Sequence, residues 1–292
     1  MKGAIIINPY LIPKESVDQA ERLKAEFEGF GVKTDIITDG FIRSAIKDNK
    51  VATEFCGYDF AVYLDKDKYL SVQLEKAGIR LFNSHAAIRV CDDKGETYLA
   101  LIGSELNIPD TIFGALCYGE KTEISKSALD TIADKLGFPI VVKESYGSRG
   151  NGVYLARTME ELVSVSEKVK LKPHLYQKYL GYKKGVDIRV MVIGGEAVSA
   201  MERVNESDFR SNVALGGKGE RFKLTPEIKS AAETAAKTLG LDYCGVDVIF
   251  GENDKPYICE VNSNAFFAET EKVTGVNVAK KYAEYILKTL NK

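Results

Sequence analysis

The chain has 292 residues, 45% of them hydrophobic, and its 40 Lys and Arg against 42 Asp and Glu leave a formal net charge of −2. That length is enough for a sizeable core and more than one subdomain, and the interspersed, nearly balanced charge lacks the basic footprint of a nucleic-acid binder. Five cysteines (Cys56, Cys91, Cys117, Cys244, Cys259) without a CxxC pair suit a reducing compartment and argue against a disulfide framework or structural zinc. His85 and His174 stand too far apart to suggest a histidine metal site, and each reads as a surface or satisfied histidine. The apolar run from Gly3 is too short for a signal peptide or a membrane span. The expected location is the cytoplasm.

Residues 3–8 read as a buried strand. Val17, Ala20, Leu23 and Phe27 fall at helical spacing, with Gly29 and Gly31 ending that helix. Residues 32–38 and 59–64 read as strands, 68–76 as a helix closed by Gly78, and 79–82 as a fourth strand. Such alternation implies parallel βαβ units. Residues 1–91 are therefore expected to form a small α/β domain, with a boundary near Cys91 and a new helix from Asp92 to Ile102.

Beyond it, 129–136 reads as a helix. Strands over 139–144 and 152–156 flank the segment Ser145-Tyr-Gly147-Ser148-Arg-Gly150-Asn-Gly152. A hairpin is expected from 187–193 and 197–203, turning at Gly194-Gly195. Thr225 and Pro226 suit the N-cap and first turn of a helix ended by Gly240. Two more strands, 245–250 and 257–262, precede a last helix over 278–290.

The last two strands hold the most informative residues. A two-residue turn at Asn253-Asp254 sets Asp247 opposite Glu260, and alternation puts Asn262 on the same face. Facing carboxylates repel unless something cationic sits between them. Asp, Glu and Asn offer oxygen ligands, which points to Mg²⁺ or Mn²⁺; a solvated polar hairpin is the plainer alternative. The Gly-rich segment 147–152 is neither a Walker A nor a Rossmann turn. Flanked by strands, it suits either a lid whose backbone N–H groups approach phosphates or an ordinary hairpin loop. Lys143 ends an apolar strand and needs an anionic partner or a route to solvent.

Asp187 and Arg189 share a face of the other hairpin. A tight Gly194-Gly195 turn pairs Arg203 with Val186 and aims it to the opposite face unless a bulge or longer loop re-aims it. Arginine forks suit phosphate, although a surface salt bridge is the ordinary fate of any one of them.

In order, Val-Val-Lys143-Glu-Ser, Leu-Tyr-Gln177-Lys-Tyr-Leu180, Val-Asp187-Ile-Arg189-Val, Asp208-Phe-Arg-Ser-Asn212, Gly-Val-Asp247-Val and Glu260-Val-Asn262-Ser make the chain resemble the ATP-grasp superfamily, and within it the RimK-like α-L-glutamate ligases. The resemblance implies an α/β fold in which a pre-ATP-grasp domain (1–91) precedes central (92–178) and C-terminal (179–292) ATP-grasp subdomains that sandwich ATP. Lys94, Lys143, Gly147, Ser148, Gly150 and Gly152 would meet the phosphates. Gln177, Lys178, Tyr179 and Leu180 would meet adenine, and Asp187 the ribose, with Arg210, Ser211 and Asn212 also on the nucleotide. Asp247, Glu260 and Asn262 would hold two Mg²⁺ or Mn²⁺ ions, with Arg189 and Arg203 as the catalytic arginines.

The activity implied is amide formation through an acyl-phosphate, joining a small-molecule amino acid to a carboxylate acceptor that is a small molecule, peptide or protein terminus. Neither nucleic acid nor membrane is an expected partner, and self-association is common in such proteins. Phosphorylation of a hydroxyl and nucleotide sensing without turnover are the two alternatives. Where relatives continue after the metal-binding Asn with Ser-Ser/Ala-Pro-Gly, this chain reads Ser263-Asn-Ala-Phe-Phe267. That change alters the acceptor side of the site and leaves the substrates unnamed.

Overall fold

The structure is a computed structural model that describes residues 1–10 and 14–291. Its first layer takes β1 (Lys2–Ile7), α1 (Lys14–Gly29), β2 (Lys33–Ile37), a hairpin of β3 (Ser44–Lys47) and β4 (Lys50–Thr53), then β5 (Phe60–Leu64), α2 (Lys68–Lys76) and β6 (Arg80–Phe82). The parallel sheet runs β2-β1-β5-β6. Alternate residues of a strand face opposite ways. Ile5, Ile7, Phe60 and Val62 accordingly pack on Ala20, Leu23 and Phe27 of α1, while Ala4, Ile6, Ala61 and Tyr63 pack on Leu70 and Leu74 of α2. The two helices cover opposite faces, so the connections diverge where β1 and β5 lie side by side.

The hairpin β3–β4 turns at Asp48 and Asn49, both at positive φ (52° and 60°). The helix expected from Asp92 is the second of a pair, α3 (His85–Asp92) and α4 (Lys94–Leu101). Asp93 breaks the run and caps α4, its carboxylate accepting from the N–H groups of Gly95 and Glu96. Cys91 lies inside α3, and with Leu101 it packs into the core of the C-terminal sheet.

The middle sheet is antiparallel and holds β7 (Thr111–Phe113), β8 (Ile140–Glu144), β9 (Val153–Ala156) and β10 (His174–Lys178) in the order β7-β10-β8-β9. Helices α5 (Lys126–Leu136) and α6 (Met159–Val169) bury Leu129, Leu136, Leu162 and Val169 against Ile140, Val142 and Tyr176.

The C-terminal sheet runs β13-β12-β11-β14-β15, with β11 (Val186–Ile193), β12 (Glu196–Val204), β13 (Lys218–Arg221), β14 (Tyr243–Phe250) and β15 (Pro256–Asn262). α7 (Pro226–Thr238) covers one face through Ala232, Ala235 and Ala236 on Val190, Val246 and Val248. Thr225 caps it by accepting from the Ile228 N–H, with Pro226 in the first turn. The opposite face divides in two. Its apolar half, Met191, Ile193 and Tyr243, shares one core with α1, β1, β5 and the last helix α9 (Val278–Leu290), which follows α8 (Ala268–Thr274). Its charged half faces the middle sheet. Among the described residues no helix is long and apolar enough to cross a membrane.

Candidate functional site

Two β-bulges build the charged half. β11 and β12 join through a two-residue Gly194-Gly195 turn pairing Ile193 with Glu196, and the register then shifts so that Met191 pairs with Ser199 and Val198 is the extra residue. Arg203 consequently sits opposite Asp187, on the face it would have missed in an unbroken ladder. On β14 and β15 the turn is longer than two residues, with Phe250 paired to Pro256, but Cys259 is extra and the shift restores Asp247 to Glu260 and Gly245 to Asn262. The expected register is met by a different route.

Four side chains form a buried ladder across three strands. Arg203 forks onto Asp187, Nε at 2.7 Å from Oδ1 and Nη2 at 2.5 Å from Oδ2, and its Nη2 also lies 2.9 Å from Asp247 Oδ2. Arg189 donates through Nε to Asp247 Oδ1 and through Nη2 to Oδ2 at 2.7 Å. The cation demanded by the facing carboxylates is thus supplied on Asp247's other side by two guanidinium groups. Burial pushes the Asp247 carboxyl up, but Arg189 and Arg203 outweigh it and hold the net value below the usual carboxylate range.

Gly245 makes room for this arrangement. A Cβ there would stand 2.6 Å from the Ala265 Cβ and 2.9 Å from the Arg189 Cδ. Gly245→Ala is expected to push Arg189 off Asp247, costing about 1–3 kcal/mol as an overpacked site and lowering turnover. Thermal unfolding and steady-state kinetics on the same variant check both effects.

Opposite the ladder, the middle sheet presents its own cations. Lys143 is buried, with Nζ 3.2 Å from the Tyr98 hydroxyl and 3.8 Å from the Cys259 sulfur. Burial lowers its pKa, but Cys259, Tyr98 and Glu260 outweigh that and the net value is raised, so the ammonium stays charged. Lys94 Nζ donates to the Gly147 carbonyl at 3.0 Å and lies 3.6 Å from Glu260. The Gly-rich loop is latched from the C-terminal side: Arg210, held by Asp208, donates to the Gly150 carbonyl at 2.9 Å. Gly150 has φ +79°, and a Cβ would stand 2.8 Å from Leu215 Cδ1 and 3.0 Å from Asn212 Oδ1, so the loop approaches this segment as only glycine can.

These groups line one cleft between the two antiparallel sheets. Of the residues singled out from sequence, Lys94, Lys143, Ser148, Gly150, Gln177, Lys178, Tyr179, Leu180, Asp187, Arg210, Ser211, Asn212, Asp247 and Glu260 line it. Gly147, Gly152, Arg189, Arg203 and Asn262 do not; the arginines lie beneath Asp247, and Asn262 lies along the ladder beyond Glu260. Sequence reasoning missed Val141, Val153, Ile249 and Phe209, which make part of the wall apolar, and Lys183 and Cys259. The alternation of Val141 with Lys143, and of Asp247 with Ile249, was the available signal.

A family model for the RimK-like ATP-grasp domain matches residues 92–286. The chain belongs to the RimK-like ATP-grasp family. It is 34% identical over 232 residues to human N-acetylaspartylglutamate synthase A, covering 79% of this chain and 58% of that protein. It is 37% identical over 219 residues to a probable alpha-L-glutamate ligase of Picosynechococcus, covering 74% and 70%. The chain thus spans little more than half the length of the human relative. The ATP-grasp fold is equally plain in solved structures. D-alanine–D-alanine ligase from Bacillus anthracis, complexed with ATP, superposes with a TM-score of 0.75 at 21% identity, covering all of this chain and 97% of that one. A RimK domain protein from Sphaerobacter thermophilus gives 0.73 at 19%, covering 98% and 99%.

Proposed function

We propose that this RimK-like ATP-grasp protein is an ATP-dependent carboxylate–amine ligase that works through an acyl-phosphate. The observation that supports this most is the single cleft with Lys94, Lys143 and the Gly-rich loop at one wall and the Asp187–Arg203–Asp247–Arg189 ladder with Glu260 at the other. In this reading ATP lies between the walls, its base against Val141, Ile249, Leu180 and Phe209 near the 177–180 segment. Its phosphates meet Lys94, Lys143 and loop 147–152, with Arg210, Ser211 and Asn212 closing from the other side.

The donor set fits a hard divalent cation. Asp247, Glu260 and Asn262 bring two carboxylates and an amide oxygen to one face of adjacent strands, and Glu260 is the more open carboxylate, its side chain 24% exposed. Mg²⁺ or Mn²⁺ held there would neutralise phosphate charge and align the γ-phosphate. Arg189, fixed by Asp247, supplies positive charge where the acyl-phosphate and then the tetrahedral oxyanion develop, and Arg203 holds Asp247 in place. An acceptor carboxylate oxygen attacks the γ-phosphorus and the β,γ bond breaks to release ADP. The amine nitrogen then attacks the acyl carbon, loses a proton and displaces phosphate. The names of the relatives make glutamate the amine to test first.

ADP release should be screened over pairs of amino acids and small or peptidic acids, with product mass and free phosphate measured. The expected result is an amide with one phosphate released per bond and loss of turnover with a chelator. Phosphate retained on the acceptor would make the protein a kinase, and no turnover with any pair would leave nucleotide binding as its role.

A further inference from the structure

In an open α/β sheet, ligands bind beyond the carboxyl ends of the strands where the connections diverge. In this chain that point is between β1 and β5, whose helices α1 and α2 cover opposite faces. The residues just past those ends are Asn8 and Asp65. Asp65 is 8% exposed and accepts from the Asn8 amide at 3.1 and 3.2 Å and from the Lys66 N–H at 2.6 Å. Among the described residues no lysine or arginine forms an ion pair with it. The adjacent Lys66 is turned to Asp92 at 2.5 Å. Burial pushes the Asp65 carboxyl up, with no cation to hold it down. A buried carboxylate without a counter-charge is costly and calls for a cationic partner.

The loop leaving the metal strand lies over the same place. The Asn264 amide donates to the Leu64 carbonyl at 2.7 Å, at the carboxyl end of β5. Gln19 of α1, 4% exposed, donates through Nε2 to Asn264 Oδ1 at 3.3 Å, while its own Oε1 has no hydrogen-bond partner. An orphaned acceptor and an uncompensated carboxylate therefore stand together, two residues along the chain from Asn262. Both accept hydrogen bonds and one is anionic, a pairing that matches a primary ammonium.

We propose that Asp65 and Gln19 form the subsite for the ammonium group of the amine substrate, an inference resting on the ligase reading. Carboxylate and amide oxygen select the charged amine over an acylated one and hold its nitrogen beside the strand where the acyl-phosphate forms. Titration calorimetry with L-glutamate, the other standard amino acids and N-acetyl-L-glutamate, in the presence of Mg²⁺ and a non-hydrolysable ATP analogue, tests this. The expected result is that the wild type binds a free amino acid and not its N-acetyl form. Asp65→Asn and Gln19→Leu should each weaken that binding tenfold or more while binding the ATP analogue as the wild type does.

The inference is overturned if free and acetylated forms bind alike, if no amino acid binds, or if both variants bind as the wild type does. If Asp65→Asn fails to bind the nucleotide and is therefore misfolded, Gln19→Leu decides. The ligase reading is scored separately by hydroxamate formation from hydroxylamine, which is uncharged at neutral pH and needs no ammonium subsite. Loss of amino-acid ligation with hydroxamate formation retained in Asp65→Asn supports the subsite; loss of both together in a nucleotide-binding variant overturns it.

Discussion

Replacing Asp247 with alanine should lower the unfolding free energy by about 3–5 kcal/mol, because it leaves buried charge uncompensated. Both Arg189 and Arg203 donate to this carboxylate, and all three side chains are buried, with Asp247 only 2% exposed. Against a typical total of about 5–15 kcal/mol, the loss would be plain in urea or thermal unfolding, and turnover should vanish with it. Acid supplies a second reading. The folded-state pKa of Asp247 is lowered, so its contribution is present above the ordinary carboxylate range and is lost as pH falls through the depressed value, below about pH 4. Wild type and Asp247→Ala should therefore differ widely in stability at neutral pH and converge in acid. Equal stabilities at pH 7 would mean that the ladder does not hold the sheet face together.

Arg189→Lys is expected to reduce kcat by two to three orders of magnitude, roughly the cost of removing one preorganised oxyanion donor, while the KM for ATP changes little. Arg189 does not line the nucleotide cleft but lies under Asp247, packed over Gly245. A lysine keeps the charge and loses the two-pronged grip on Asp247. Asp247 would still meet Arg203, so the fold should survive where the alanine variant at 247 does not. Initial rates at saturating ATP, with a separate nucleotide titration, separate the two effects. A parallel rise in the KM for ATP would assign Arg189 to the nucleotide instead.

The pairing of Asp247 with Glu260 was legible because strand alternation is local, but the intended turn was not the one used. Two departures, a longer loop and the Cys259 bulge, cancel. The Val198 bulge had no such signal, and without it Arg203 points away from Asp187. α6 was readable and overlooked: Thr158 accepts from the Glu161 N–H, and Glu161 reaches back to the Arg157 N–H, three and four residues apart in sequence. The short, exposed hairpin β3–β4 offered few buried positions to reveal its period. The contacts joining Gln19, Leu64 and Asn264 span 200 residues or more, and no periodicity encodes an encounter at that separation.

The division of the C-terminal sheet's open face sets how the molecule can breathe. Its apolar half is fused to the first layer through α1 and α9 in one continuous core, and α3 and α4 are welded to its other face through Cys91 and Leu101. The middle sheet has a separate core of its own. Hinging therefore belongs to the middle sheet alone, which swings Lys143 and the Gly-rich loop toward an anvil that stays put. Nucleotide exchange under this scheme opens one wall and leaves the arginine ladder, Asn264 and Asp65 assembled from one turnover to the next.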